Sequence, residues 1–289
     1  MRPVPNSVRN RLITLFLALL TCGGVRAEED APSLYEVGVG AGAAWLPHYP
    51  GSDQERLFAI PIPYLIYRGK ILRSDREEGT RARFFSTANF EVTLSGGGAL
   101  PVSSGGNVAR EGMPDLGWNA EIGPKLVYRL PVSDLSIIRL GLASRAVFTS
   151  SGSTLPRHLG THTDFEIDFE RRRLFFDKVD LLTGYSAAFI SEGVASYFHE
   201  VPEAYARANR PTYSAKAGYL ASTVNLGIGY ETEGGWQKFY AGGSYDFLDG
   251  SANAASPLVK SRTNSTFVLG YILVLHHSDK KAQVVEPSN

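Results

Sequence analysis

Residues Asp164 to Glu170 read DFEIDFE and run directly into Arg171, Arg172 and Arg173. Asp164, Glu166, Asp168 and Glu170 alternate strictly with Phe165, Ile167 and Phe169. A period of two sends successive side chains to opposite faces of a strand. One face is therefore all carboxylate and the other all hydrocarbon. In a soluble sandwich the apolar face would be buried in a core. Here the same alternation recurs along most of the chain, with no helical period between. A sheet that is apolar outside and polar inside predicts a transmembrane, antiparallel up-and-down β-barrel; the soluble all-β sandwich is the alternative.

The N-terminus has the pattern of a processing segment. Arg2, Arg9 and Arg11 precede the apolar run Leu12–Leu20, and Val25-Arg26-Ala27 offers a cleavage site before Glu28. Nine residues are too few to span a bilayer as a helix, so residues 1–27 are expected to be a secretory signal peptide. Leu19-Leu20-Thr21-Cys22 loosely resembles a lipoprotein box, whose use would leave Cys22 lipidated. Residues 28–289 then form one barrel domain ending in a polar tail, 278–289. Cleavage removes the only cysteine, and with it thiol chemistry. The 29 basic and 29 acidic residues of the whole chain become 25 against 29, because the signal carries four arginines and no acid. That mild acidity gives no reason to expect nucleic acid as a partner.

Strands follow from the period. Tyr35, Val37, Val39, Ala41, Ala43 and Trp45 alternate with Glu36 and a glycine-rich inner face. Leu57–Tyr67 reads as a strand interrupted by Pro61 and Pro63, hence weakly paired. Further alternations centre on Val92, Ile122, Leu142, Ile167, Tyr185, Leu226, Ala241 and Leu269, with shorter pieces near Lys70, Arg83 and Ala215. That predicts 10–12 strands, and an even number suits a bacterial barrel. Two long connections are expected, Gly96–Asp115 and Ser191–Thr212, the second with a helix-like patch at Pro202–Ala208.

Several spaced segments carry a resemblance. They are HYPGSD (48–53), PIPYLIYRG (61–69), SDREEG (74–79), AREGMPDL (109–116) into EIGPKLVYRLP (121–131), YFHEVPEAYARANRPTYSAKAG (197–218) and LDGSANAASPLV (248–259). In this order and spacing the chain resembles the MipA/OmpV family of Gram-negative outer-membrane proteins over nearly all its mature length. It departs from the usual terminal aromatic of such barrels, since His276, His277 and a polar tail follow Leu275. The resemblance implies a cell outer membrane protein without cofactor. It also implies a non-catalytic scaffold that brings a murein-degrading lytic transglycosylase together with a murein polymerase. Other relatives are porin-like or adhesion-associated.

Candidate sites are few. The row Asp164, Glu166, Asp168 and Glu170 would line a cation-preferring pore, hold calcium, or form a charge ladder against Arg139, Arg145, Lys125 or Arg172. Same-face strand residues lie roughly 7 Å apart, whereas calcium needs about six to eight oxygens at about 2.3–2.6 Å, so one strand makes no calcium site. The ladder is expected, because buried charges need partners. His199, Glu200 and Ser196 would suit a hydrolase, but no G-x-S-x-G occurs. His158 and His162 fall in a Gly/Thr stretch that suits a loop rather than a metal-binding helix. No catalysis and no metal are assigned, and the histidines are expected in solvated loops. Tyr49, Pro50, Gly51, Ser52 and Asp53, with Gly112, Met113, Pro114 and Asp115, read as rim turns that are also the candidate partner surface. Scaffold, small diffusion channel and outer-membrane hydrolase remain as readings, in that order.

Overall fold

The computed structural model describes residues 33–68, 72–75, 79–87, 89–151, 155–175 and 178–281, with only the backbone at 68, 72–75 and 79–86. The expected signal peptide, and the tail beyond Lys281, lie outside the described residues. Twelve antiparallel strands close into a barrel in sequence order, the first pairing the last. They are β1 (Tyr35–Pro47), β2 (Glu55–Arg68), β3 (Leu72–Asp75), β4 (Gly79–Ser86), β5 (Phe90–Ala99) and β6 (Trp118–Ser133). The second half is β7 (Ser136–Ser150), β8 (Arg157–Arg171), β9 (Val179–Ile190), β10 (Gly218–Glu231), β11 (Gln237–Phe247) and β12 (Thr263–His277). No described helix is long and apolar enough to cross a membrane.

The alternation sorts side chains to the two faces of the wall. Leu140, Leu142, Phe165, Ile167, Leu226, Ile228 and Leu269 are exposed on the outer face. An apolar band all round a barrel is what a bilayer covers. Aromatics gather at its edges. Trp45, Trp118, Phe189 and Phe247 lie toward one end of their strands, and Phe90, Tyr128, Phe239 and Tyr271 toward the other. Neighbours among them touch across strands, Phe90–Tyr128 at 4.6 Å and Phe239–Tyr271 at 5.1 Å between centroids. Such belts suit the two bilayer interfaces.

Glycines on the inner side of β1 meet a specific demand. A Cβ on Gly38 would lie 2.3 Å from the Leu273 carbonyl oxygen, and one on Gly40 2.3 Å from that of Tyr271. Only glycine lets β1 close this tightly on β12. The seam continues past the barrel, where Leu34 N–H donates to the Lys280 carbonyl and Ser33 bridges Lys281. β12 therefore takes its place opposite β1 without a terminal aromatic.

Four expectations change. Gly96–Ala99 extend β5 against β6, so the long connection starts only at Leu100. β8 begins at Arg157, which puts His158 and His162 on a strand. The segment near Ala215 is not a strand. In the second connection the helix, α1, is Glu192–His199, and Glu203–Tyr205 makes only a single 3-10 turn. Pro202 sits before that turn, while Glu192 and Gly193 follow the extended Ser191.

The long connections all leave one end of the barrel, the loop end. Ser33 and Lys281, the first and last described residues, lie at the other end with the short turns, the turn end.

Candidate functional site

Inside the wall, β5–β8 carry charges that engage one another. Lys125 Nζ donates to Glu166 Oε2 at 2.5 Å. Arg139 pairs with Glu170, which also accepts from Arg172 Nε at 3.2 Å. Arg145 reaches Asp164, Glu121 Oε2 at 3.0 Å and Ser95 Oγ at 3.1 Å. His162 stands between two carboxylates, Nδ1 3.0 Å from Glu121 Oε2 and Nε2 3.3 Å from Asp164 Oδ1. Arg129 pairs with fully buried Glu91. Asp168 is the member of the acidic row that has no ion pair among the described residues. It faces a cavity of about 340 Å³ lined by Ser95, Lys125, Arg139, Arg145, Glu166 and Asn225. These pairings follow from register, because Arg139 lies opposite Asp168 and Arg145 opposite His162 across β7 and β8. The diagonal neighbours are then within reach of a long side chain.

The opposite wall is different. β10, β11, β12 and β1 present Gly227, Gly229, Gly242, Gly270 and Gly42 around Tyr240. Near the turn end, Lys238 (β11) donates to Glu36 (β1) and, at 2.9 Å, to the Tyr64 hydroxyl (β2).

The loop end is covered. The connections β1–β2 (48–54), β5–β6 (100–117) and β9–β10 (191–217) leave the rim four strands apart, a third of the circumference each. They bond to one another directly. Asn107 Nδ2 donates to Ser52 Oγ at 3.3 Å, and Val108 N–H to Gln54 Oε1 at 2.6 Å. Arg110 Nη1 donates to the Phe198 carbonyl at 3.2 Å, and Arg210 Nη1 to those of Ala109 and Glu111 at 2.9 and 3.1 Å. His199 Nε2 donates to the Pro50 carbonyl at 2.9 Å. Loops so spaced can meet only over the mouth, so they form a cap. Its core is Tyr49, Val102, Met113, Leu116, Val194, Phe198, Val201 and Leu258, joined to Val147, Leu159, Ala188 and Ile190 of the wall.

The nine turn residues of the sequence analysis fall in this cap. Tyr49, Gly51, Ser52 and Met113 are buried, Pro50 is half-buried, and Asp53, Gly112, Pro114 and Asp115 are exposed. Tyr49 donates to the Leu258 carbonyl at 2.9 Å, and burial pushes its phenol up to about 12. Gly51 has φ +87°, a conformation that favours glycine. Asp115 accepts from the Ser104 N–H at 2.6 Å.

His199 was expected in solvent and is instead fully buried. Its signal in the sequence was weak, a histidine ending an amphipathic turn next to Phe198. Burial first, opposed by the Pro50 acceptor and aided by Arg110, holds the imidazole down to about 4, against 6.5 when free. As pH falls, a ring released from the cap takes up a proton before a buried one does. Cap closure is thus fully favoured above pH 6.5 and weakens as pH falls toward 4, by at most about 3 kcal/mol. Hydrogen exchange of the α1 amides should quicken over that range beyond its intrinsic pH dependence, and His199→Gln should flatten the change. Equal protection at both ends of the range would contradict this account.

The fold and the paired lumen together define an outer-membrane β-barrel. Over residues 39–273 the sequence matches the family model described as MltA-interacting protein MipA, and the chain belongs to that family. No curated protein matches it. Among solved structures it is similar to an outer-membrane channel of Pseudomonas putida F1, with 10% identity and TM-score 0.41, covering 87% of this chain and 100% of the other. It is similar also to the β domain of the Bordetella autotransporter BrkA, with 13% identity and TM-score 0.42, covering 83% and 100%. A third is OmpT of Vibrio cholerae, with 11% identity and TM-score 0.36, covering 87% and 100%.

Proposed function

We propose that this barrel is non-catalytic and serves as a docking scaffold for cell-wall enzymes. The observation that carries this is the lumen, filled on one side by mutually paired charges and covered by a cap that meets over the mouth. Such a barrel offers surfaces rather than a wide channel. The family description, MltA-interacting protein, supports a protein partner, which we take to be a murein-degrading lytic transglycosylase, with a murein polymerase as the second. Barrels of this class carry short turns on the periplasmic side and longer loops outside. The murein-facing surface is then the turn end, where Arg172, Arg173 and Phe175 stand between β8 and β9 and Ser33–Leu34 lies along Lys280–Lys281. A signal peptide at 1–27 would deliver the chain there.

Immobilised mature barrel should retain both enzymes from purified mixtures. Arg172→Ala with Arg173→Ala should lower that retention at least several-fold, while the cap variant Glu111→Gln should leave it unchanged. Failure of wild-type barrel to retain either enzyme would end the proposal. A second reading, a small diffusion channel, draws on the cavity beside Asp168. In planar bilayers a scaffold is silent, whereas a channel gives discrete current steps that lose cation preference on Asp168→Asn.

A further inference from the structure

The barrel wall is not paired over its whole height. β1 holds β2 along its full length, from Tyr35 against Tyr67 to Pro47 against Glu55. On the other edge of β2 only Tyr67 and Arg68 meet β3. β3 has four residues and β4 eight, and β4 reaches β5 only opposite Glu91–Thr93. Among the described residues, therefore, no strand pairs with that edge of β2 from Glu55 to Pro63, or with the facing edge of β5 from Leu94 to Ala99. The β3–β4 hairpin closes this gap toward the turn end. Toward the loop end Arg56 closes it by donating to the Pro101 carbonyl. Among the described residues, what remains is a window in the wall.

The residues around it suit an opening. Ile60 points to the lumen yet is 47% exposed, and Gly96, Gly97 and Gly98 on the facing strand are exposed too. β2 also breaks the rule of the other strands. Leu57, Ala59, Pro61, Pro63 and Leu65 face outward, and Phe58, Ile60 and Ile62 face inward, so both faces are apolar. A strand between bilayer and polar lumen has no use for that second face. A strand around whose free edge an apolar chain passes does. The ladder with β1 runs unbroken through both prolines, so positions 61 and 63 turn their donor side toward the gap. Proline there removes two N–H groups that no strand would satisfy within a membrane.

Leu94, Ser95 and Gly96 of the window's far edge also line the lumen cavity that contains Asp168. That carboxylate, alone in its row, forms no ion pair among the described residues, the nearby Lys125 and Arg139 being paired to Glu166 and Glu170. We propose that the window is a lateral passage between lumen and bilayer for a single-chain amphiphile with an amine head, its chain along β2 and its head at Asp168.

Tryptophan reporters test this in the mature barrel reconstituted in phosphatidylcholine vesicles, with Trp45, Trp118 and Trp236 replaced by Phe. Phosphatidylcholine brominated on its chains should quench Leu57→Trp, which faces lipid, and spare Tyr240→Trp, which faces the lumen. Ile60→Trp should be quenched, although it too faces inward. If Ile60→Trp is as silent as Tyr240→Trp, the wall is sealed and the proposal fails. 11-Bromoundecylamine should then quench Ile60→Trp saturably, at concentrations at least tenfold below those needed for 11-bromoundecanoic acid. Asp168→Asn should erase that difference; equal potency of the two heads in the wild-type lumen would overturn the assignment of the head. Should Asp168→Asn not fold, a bis-maleimide bridge between Ile60→Cys and Gly97→Cys gives an independent check. Closing the window this way must abolish quenching at Tyr64→Trp by the amine. Neither measurement depends on capture of a cell-wall enzyme, so this passage and the scaffold stand or fall separately.

Discussion

Replacing Lys238 by methionine is expected to destabilise the folded barrel by about 3–5 kcal/mol, the range for breaking a buried ion pair from one side. Lys238 is 1% exposed and Glu36 5%. The ammonium donates to the Glu36 carboxylate and to Tyr64, whose hydroxyl donates in turn to Glu36 at 3.2 Å. These three residues sit on β11, β1 and β2, so they clasp the seam where the first strand meets the last, β12. Methionine fills the space of the lysine stem but leaves the carboxylate without its main cation in a dry place. Adding Glu36→Gln to Lys238→Met should restore most of the loss, because the pair is then removed whole. Urea unfolding in vesicles, followed by tryptophan fluorescence, reads both variants. A loss below about 1 kcal/mol in the single variant would mean that water reaches Glu36 and that the seam is held by its backbone ladder alone.

Arg145→Ala is expected to cost a similar amount, about 3–5 kcal/mol, for a different reason. Arg145 is the hub of the charged wall. It holds Asp164 and Glu121, each with a side chain no more than 15% exposed, and Ser95 on β5. Without the guanidinium, His162 alone stands between the two carboxylates. Lys125→Met breaks a single pair whose partners are both 19% exposed, and should cost clearly less. A double-mutant cycle of Arg145→Ala with Asp164→Asn isolates the pair. Coupling near zero, together with equal costs for the Arg145 and Lys125 variants, would show that the lumen charges are solvated rather than interlocked.

Much of this fold is legible in the order of the residues. Alternation is a property of single strands, so DFEIDFE alone assigns Asp164, Glu166, Asp168 and Glu170 to one face and Phe165, Ile167 and Phe169 to the other. Repeated along the chain, it yields the barrel and a strand number whose upper end the structure meets. Where that reading errs, the cause is also local. Gly96–Ala99 looked like loop because glycine is common in turns, but those glycines lie against β6. His158 and His162 looked like loop for their Gly and Thr neighbours, but β8 starts before them. Pro61 and Pro63 did point to weak pairing, though nothing local says which edge of β2 is bare.

By itself the sequence determined which side of each strictly alternating strand meets lipid, because that depends only on a period of two. The family, too, was readable from turn segments in a set order. Only the tertiary structure decided which acid meets which base, since Arg145 and Asp164 are brought together by the register of β7 on β8. It alone assembled Tyr49, Met113, His199 and Leu258 into one cap core, since these lie on connections up to about 200 residues apart that converge only when the barrel closes. The gap between β2 and β5 belongs there as well. A bare strand edge is defined by what fails to lie beside it, and no stretch of chain carries that information alone.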